Sequence, residues 1–261
     1  MSVLVSKRNV SLSEHAMYFQ NLYCFTEKEI KKISKRQYAW LGEPILTEMN
    51  DIYKLIMMTV DDYFVTDKTP KEYATLIISK FRRLQKRLIA LWNICGYTTN
   101  KMIQWAELLN NEIYYVSLYG ELGWSKGKYM YILDFEAIKK MEFLRVMSIL
   151  HKTIYTKAIS LPPDIRGSKG TLLMDLADEA FYAINEANRI FPENKEQYEK
   201  RTKYISIAMN KIKQMQVPLF SVFTNMHYSE RIMYEITGLV NQEFRLLQGL
   251  LKSDKQRFGK L

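Results

Sequence analysis

The feature that most constrains the fold of this sequence is an internal repeat at a separation of 131 residues. Adding that number to a position in the first half reaches a like residue in the second half, without gaps. The matched pairs include Leu41 with Leu172, Glu48 with Glu179, Tyr73 with Tyr204, Lys80 with Lys211, Leu88 with Leu219, Tyr97 with Tyr228, Thr98 with Ser229, Met102 with Met233, Asn110 with Asn241, and Glu112 with Glu243. Any two amphipathic helices agree every few residues, but chance agreement rarely keeps one register over three helices and their loops. The sequence therefore predicts two copies of one structural unit.

Helical periodicity dominates the first copy. Apolar residues recur at three- and four-residue spacing over residues 45–60 and again over 77–91, which predicts two amphipathic helices. Pro70 suits the first turn of the second of these, and Thr98 or Thr99 suits the N-cap of a third helix. An earlier helix over about residues 13–36 would complete a bundle of four.

The second copy follows a segment that contains Gly120, Gly123 and Gly127. We predict an N-terminal bundle over 1–120, a linker over 121–133 and a C-terminal bundle with a basic tail over 134–261. The predicted elements of the second bundle are one helix over 135–154, a non-helical loop over 161–170, and helices over 171–190, 195–224 with a kink at Pro218, and 229–251. The predicted fold class is all-α, with two tandem antiparallel four-helix-type bundles.

Composition restricts the cellular setting. The chain has only two cysteines, Cys24 and Cys95, so it lacks a disulfide framework, and its N-terminus does not resemble a signal peptide. The longest apolar runs are far too short to span a membrane. We therefore expect a cytoplasmic protein that does not bind membranes. Its formal net charge of +10 favours polyanions as partners.

The cations concentrate on one helix of each copy. Residues 79–88 place five cations around an apolar stripe, and no acid occurs between Glu72 and Glu107. The second copy repeats this pattern between Glu199 and Glu230, and the C-terminus adds a further basic group. Cations without carboxylates in their own helix are suited to phosphate contact. The predicted nucleic-acid-binding residues are Lys80, Arg82, Arg83, Lys86, Arg87, Lys200, Arg201, Lys203, Lys211, Lys213, Lys252, Lys255 and Arg257.

Two other interpretations stay open at this point. The same cations could form a solvated helix face, or they could meet an acidic protein partner of a scaffold. No metal-binding, phosphate-cradling or nucleophile motif occurs, and the three histidines, His15, His151 and His227, are isolated in the sequence. We therefore expect no catalytic residues, no metal and no cofactor, although a carboxylate site inside a bundle remains a third hypothesis.

Several short motifs resemble a known family. They are 40–45 (Trp-Leu-Gly-Glu-Pro-Ile), 81–84 (Phe-Arg-Arg-Leu), 95–97 (Cys-Gly-Tyr), 187–192 (Ala-Asn-Arg-Ile-Phe-Pro), 198–201 (Tyr-Glu-Lys-Arg) and 247–255. Residues 38–120 and 171–257 together resemble the four-helix bundle family that includes the accessory variability determinant of diversity-generating retroelements. The chain departs from that family by carrying two bundles, where the family usually has one.

The resemblance implies a basic, often oligomeric helical protein that binds a reverse transcriptase and its RNA or cDNA. By carry-over, the matching cations are Arg82, Arg83, Lys86 and Arg87. The expected partners are therefore RNA or DNA and a reverse transcriptase, in a homo-oligomer or a hetero-complex. The expected function is that of a non-enzymatic, nucleic-acid-binding accessory protein.

Overall fold

The computed structural model describes residues 12–60, 69–123, 135–225 and 227–261. Within these ranges the regular structure is helical and includes no strand, which confirms the predicted all-α class. The chain divides into two compact units, Met1–Ile132 and Leu133–Leu261. The division falls in the segment where a linker was predicted, and residues 124–133 of that segment lie outside the described residues.

The first bundle is a ring of four long helices. The helical elements are α1 Leu12–Ile30, the single turn α2 Lys35–Gln37, α3 Glu43–Val60, α4 Pro70–Cys95 and α5 Thr99–Tyr119. Each long helix packs against two of the others, α1 and α4 both lying against α3 and α5. A turn of π-helix, Tyr38–Gly42, leads into α3.

Local signals set the ends of α4. Thr69 and Glu72 form a capping box around Pro70, whose missing N–H costs nothing in a first turn. Gly96 ends the helix with φ of 70°, a left-handed conformation that glycine adopts without strain. The predicted start of this helix is therefore confirmed, and Thr98 is the N-cap residue of α5.

The second bundle forms the same ring. Its elements are α6 Phe135–Lys140, α7 Glu142–Ser160, the single turn α8 Pro163–Ile165, a π-helical turn Arg166–Gly170, α9 Thr171–Arg189, α10 Lys195–Gln214, α11 Gln216–Thr224 and α12 Glu230–Phe258. Helix α7 packs on α9 and α12, and α10 packs on the same two helices.

Four predicted boundaries were wrong. The helix predicted over about 13–36 ends at Ile30, because residues 31–34 form a turn and Ser34 caps the separate helical turn Lys35–Gln37. The helix predicted over 135–154 is interrupted at Met141, which has extended backbone. In the predicted loop over 161–170, residues 163–170 are helical, because Pro163 occupies a first helical turn, where proline is tolerated. The last helix runs to Phe258 rather than ending at 251, so most of the predicted basic tail is helix.

The kink predicted at Pro218 takes the form of a break between Gln214, the last residue of α10, and Gln216, the first of α11. Proline has no backbone N–H, so it cannot donate a hydrogen bond to the carbonyl four residues earlier, and its ring clashes with that carbonyl. That carbonyl belongs to Gln214, which explains why the helix breaks there.

The repeat is present in the structure. The third and fourth long helices of each bundle keep the predicted separation of 131 residues. Glu112 and Glu243 are both fully buried at matching positions of α5 and α12. Tyr97 and Tyr228 also match, and burial raises the pKa of both hydroxyls. These pairs show that the similarity extends to the interiors of the two bundles.

For the second long helix of each bundle, the predicted separation of 131 residues was wrong. Leu41 is buried, whereas Leu172, its predicted counterpart, is 45% exposed. The structural counterpart of Gly42 is instead Gly170, since each is buried and ends the π-helical turn before the second long helix of its bundle. A Cβ on Gly42 would lie 2.5 Å from Ile30 Cγ2, so this turn requires glycine. The register changes because the second copy has three more residues between Gly170 and Glu243 than the first copy has between Gly42 and Glu112.

Candidate nucleic-acid interface

The predicted cations of the first bundle are partly neutralised by the neighbouring helix. Lys80 Nζ lies 3.4 Å from Glu48 Oε1 and 3.2 Å from Asp51 Oδ2, both on α3. Arg83 Nη1 lies 3.6 Å from Glu48 Oε2. The expectation that this helix presents uncompensated charge is therefore wrong for Lys80 and Arg83, because their partners lie about 30 residues away in sequence.

The other predicted cations of α4 differ in exposure. Arg82 is exposed, and no described residue pairs with its side chain. Lys86 and Arg87 are half-buried, and Arg87 Nε is enclosed by protein. Of the predicted group, Arg82 is thus the side chain most available to a phosphate.

Arg201 has a structural position in the second bundle. Its Nε donates to Asp254 Oδ2 at 2.5 Å, and its Nη1 donates to the carbonyl oxygens of Ala187 and Ile190 at 2.8 and 2.9 Å. The guanidinium therefore caps the C-terminal end of α9 and connects it to α12. The expectation that Arg201 is uncompensated is therefore wrong, since the chain's own groups occupy its donors.

Two further predicted cations have partners within the bundle. Lys211 Nζ lies 2.5 Å from Glu179 Oε2. Lys213 Nζ lies 5.1 Å from the centroid of the Phe244 ring, a cation–π distance, and its side chain is exposed. Lys211 was thus wrongly expected to be uncompensated, whereas Lys213 keeps its charge at the surface.

The Arg201–Asp254 pair brings two of the predicted basic groups to one end of the second bundle. Three residues of α12 and two of α10 lie within a few positions of this pair and are exposed. No ion pair within the described part of the chain involves them, although Glu196 and Glu199 lie nearby on α10. We call this set the basic end: Lys200, Lys203, Lys252, Lys255 and Arg257.

A second set of cations lies along α12. Arg231, Arg245 and Lys252 are exposed and fall on one helix face, because multiples of seven residues return to nearly the same side. Gly238 occupies the remaining seven-residue position. We call these four residues the α12 stripe. Sequence reasoning missed Arg231 and Arg245, although their spacing from Lys252 was visible.

The acid beside this stripe is already paired. Glu235 Oε2 lies 3.2 Å from Lys157 Nζ on α7. Arg245 Nε donates to the carbonyl of Asn241 in its own helix, at 3.3 Å, which leaves its charge intact. The α12 stripe is therefore a positive track about 30 Å long, at 1.5 Å rise per residue.

Neither family models, curated proteins nor solved structures match this chain. Among the residues that the structure describes, no group of three or more His, Cys, Asp or Glu side chains is placed to hold a metal ion. No helix in the described ranges has the length and apolarity needed to cross a membrane.

His151 is not isolated, contrary to the sequence interpretation. Its Nε2 lies 2.9 Å from Asp178 Oδ1, and the Tyr155 hydroxyl donates to both oxygens of Asp178 at 2.8 Å. The ring of Phe181 stacks on the imidazole at 4.8 Å between centroids. His151 is fully buried, so this network fixes the packing of α7 on α9 in a region closed to solvent.

A buried carboxylate also occupies the core of the second bundle. Both carboxylate oxygens of Glu243 are buried without a hydrogen-bond partner among the described residues. Burial raises the pKa of Glu243 to about 9, so the group is a neutral acid at pH 7. It is fully enclosed, and solvent has no contact with it.

Proposed function

We propose that this protein is a non-enzymatic, nucleic-acid-binding accessory protein that associates with a reverse transcriptase and its RNA or cDNA. The observation that supports nucleic-acid binding best is the α12 stripe, which leads into the basic end. Both sets are exposed and free of ion pairs within the described residues. The net charge of +10 points the same way.

Phosphate contact is the chemistry that these residues suit. Lys252 and Arg245 lie on a rigid helix, so they can meet successive phosphates without ordering a loop. Arginine adds a bidentate geometry that matches a phosphate. Contacts of this kind carry no sequence information, so the expected binding is indifferent to base sequence and strongly weakened by salt.

The first experiment is a titration of labelled RNA and DNA with protein freed of co-purified nucleic acid. Fluorescence anisotropy would be recorded at about 50 mM and about 200 mM salt. We expect binding at the lower salt and a loss of at least about tenfold at the higher salt. Absence of binding at low salt, or binding that salt does not change, would refute the proposal.

Association with a reverse transcriptase is supported by the family resemblance of residues 38–120 and 171–257. The test is co-purification of the tagged protein with a reverse transcriptase encoded at the same locus, before and after nuclease treatment. We expect recovery of the complex in both cases. A reverse transcriptase that never co-purifies contradicts this part of the proposal and leaves nucleic-acid binding untouched.

A further inference from the structure

An apolar groove opens between α11 and α12, with a volume of about 540 Å³. Its walls include Leu219 and Phe220 on one side and Met233 and Val240 on the other. Phe220 lines the groove and is 66% exposed. Tyr234, which follows the groove residue Met233 on α12 but is not itself among the lining residues, is 76% exposed. Large aromatic side chains at this exposure on a folded surface indicate a binding site rather than core packing.

In the first bundle the equivalent position is buried. Ile89 is the counterpart of Phe220 in the repeat, and it is only 3% exposed. Helix α4 runs without interruption past Ile89, whereas the second bundle breaks its helix upstream of Pro218. The exposed aromatic residue is therefore a feature of one copy, and the shared bundle architecture does not require it.

The charges around the groove are mostly positive. Lys213 lies over Phe244, which follows the groove residue Asn241 by three positions on α12. Arg231, the first residue of the α12 stripe, is exposed and lies three residues, nearly one helical turn, before Tyr234. Two acids lie closest in sequence to the groove residues of α12: Glu235, which pairs with Lys157 at 3.2 Å, and Glu243, which is fully buried. Glu230 lies in the first turn of α12, where the helix dipole favours a carboxylate.

We infer that this groove binds unpaired bases of a single-stranded nucleic acid, with two stacking surfaces: Phe220 in the groove and the exposed ring of Tyr234, which follows the groove residue Met233 on α12. This inference rests on the proposed function, since the α12 stripe would hold the phosphates of the same strand. Base stacking on exposed aromatic rings beside a basic track is how proteins bind single strands without sequence preference. A duplex cannot offer its bases in this way, because they stack on one another inside the helix.

The experiment compares a single-stranded RNA with a duplex of the same length, using the wild-type chain and the double variant Phe220→Ala/Tyr234→Ala. The matched control is Tyr53→Ala, which removes a tyrosine that is 42% exposed in the other bundle. Circular dichroism would verify that each variant is folded. A 2-aminopurine base in the single strand reports stacking through quenching of its fluorescence.

We expect the wild type to prefer the single strand and to quench 2-aminopurine. The double variant should lose about tenfold or more in affinity for the single strand, the effect of removing base stacking, and should lose the quenching. Its affinity for the duplex should not change, and Tyr53→Ala should behave as wild type.

Two results overturn the inference in different ways. Wild-type protein that binds single strand and duplex equally, with no change in the double variant, refutes the stacking site while the proposed function stands. In that case the groove would serve another class of partner, such as a protein. Wild-type protein that binds neither nucleic acid refutes the proposed function, and the inference falls with it.

Discussion

Replacing Glu243 with glutamine should stabilise the protein, and the gain should grow with pH. Glu243 is fully buried and accepts no hydrogen bond from any described residue. Burial raises the pKa of its carboxyl from 4.5 to about 9. The folded chain therefore keeps the proton over a pH range in which the unfolded chain releases it.

The sign follows from this difference in bound protons. Because the folded state binds the extra proton, the free energy of unfolding falls as pH rises from about 4.5 to about 9. Each pH unit costs about 1.4 kcal/mol, so the accumulated loss at pH 7 is about 3 kcal/mol. Glutamine cannot ionise, and Glu243→Gln should recover that amount at pH 7 and almost none near pH 4.5.

The assay is denaturation by guanidinium chloride between about pH 5 and about pH 9, followed by circular dichroism. All four tryptophans lie in the first unit, so their fluorescence reports that unit within the same samples. The control is Glu199→Gln, an exposed carboxyl on α10. Equal stability of wild type and Glu243→Gln across this range would refute the reasoning.

Three further changes follow from the structure. Arg201→Met should cost about 3–5 kcal/mol of unfolding free energy, because it leaves the buried carboxylate of Asp254 without its partner. The control, Lys200→Met, should change the unfolding free energy by less than about 0.5 kcal/mol. Denaturation measures both. Gly238→Ala should raise the thermal midpoint through about 1 kcal/mol of helix propensity, since an added Cβ meets no atom within 4 Å; an unchanged or lower midpoint contradicts this. Tyr155→Phe should cost about 1–3 kcal/mol in the same denaturation assay by removing the hydroxyl that donates to Asp178, and a variant as stable as wild type would argue against it.

The elements that the sequence predicted well are those with strong local signals. Thr69, Pro70 and Gly96 act within one turn of the helix ends that they set, so the limits of α4 could be read from neighbouring residues. Pro163 was misjudged because proline is compatible with a first helical turn as well as with a loop. Sequence periodicity does not distinguish these two cases.

The candidate site was harder to predict, because charge compensation depends on contacts between helices. Arg201 and Asp254 are 53 residues apart, and Lys80 is 32 residues from Glu48. A count of acids within one helix cannot detect such pairs. Arg245 was missed for a different reason: it lies between acid-bearing segments, and only its seven-residue spacing from Lys252 marks it.

The central claim is that nucleic acid binds along the α12 stripe, and the salt dependence of binding tests it most directly. The test variant replaces Arg231, Arg245 and Lys252 with glutamine. The control has the same loss of three charges at exposed lysines elsewhere, namely Lys54, Lys71 and Lys152.

The slope of log K against log salt concentration would be measured for both variants and the wild type on one single-stranded RNA. For three lost phosphate contacts, the stripe variant should have a slope shallower by about 2, at about 0.7 per contact, whereas the control should keep the wild-type slope. Equal slopes for the wild type and the stripe variant would contradict binding along α12.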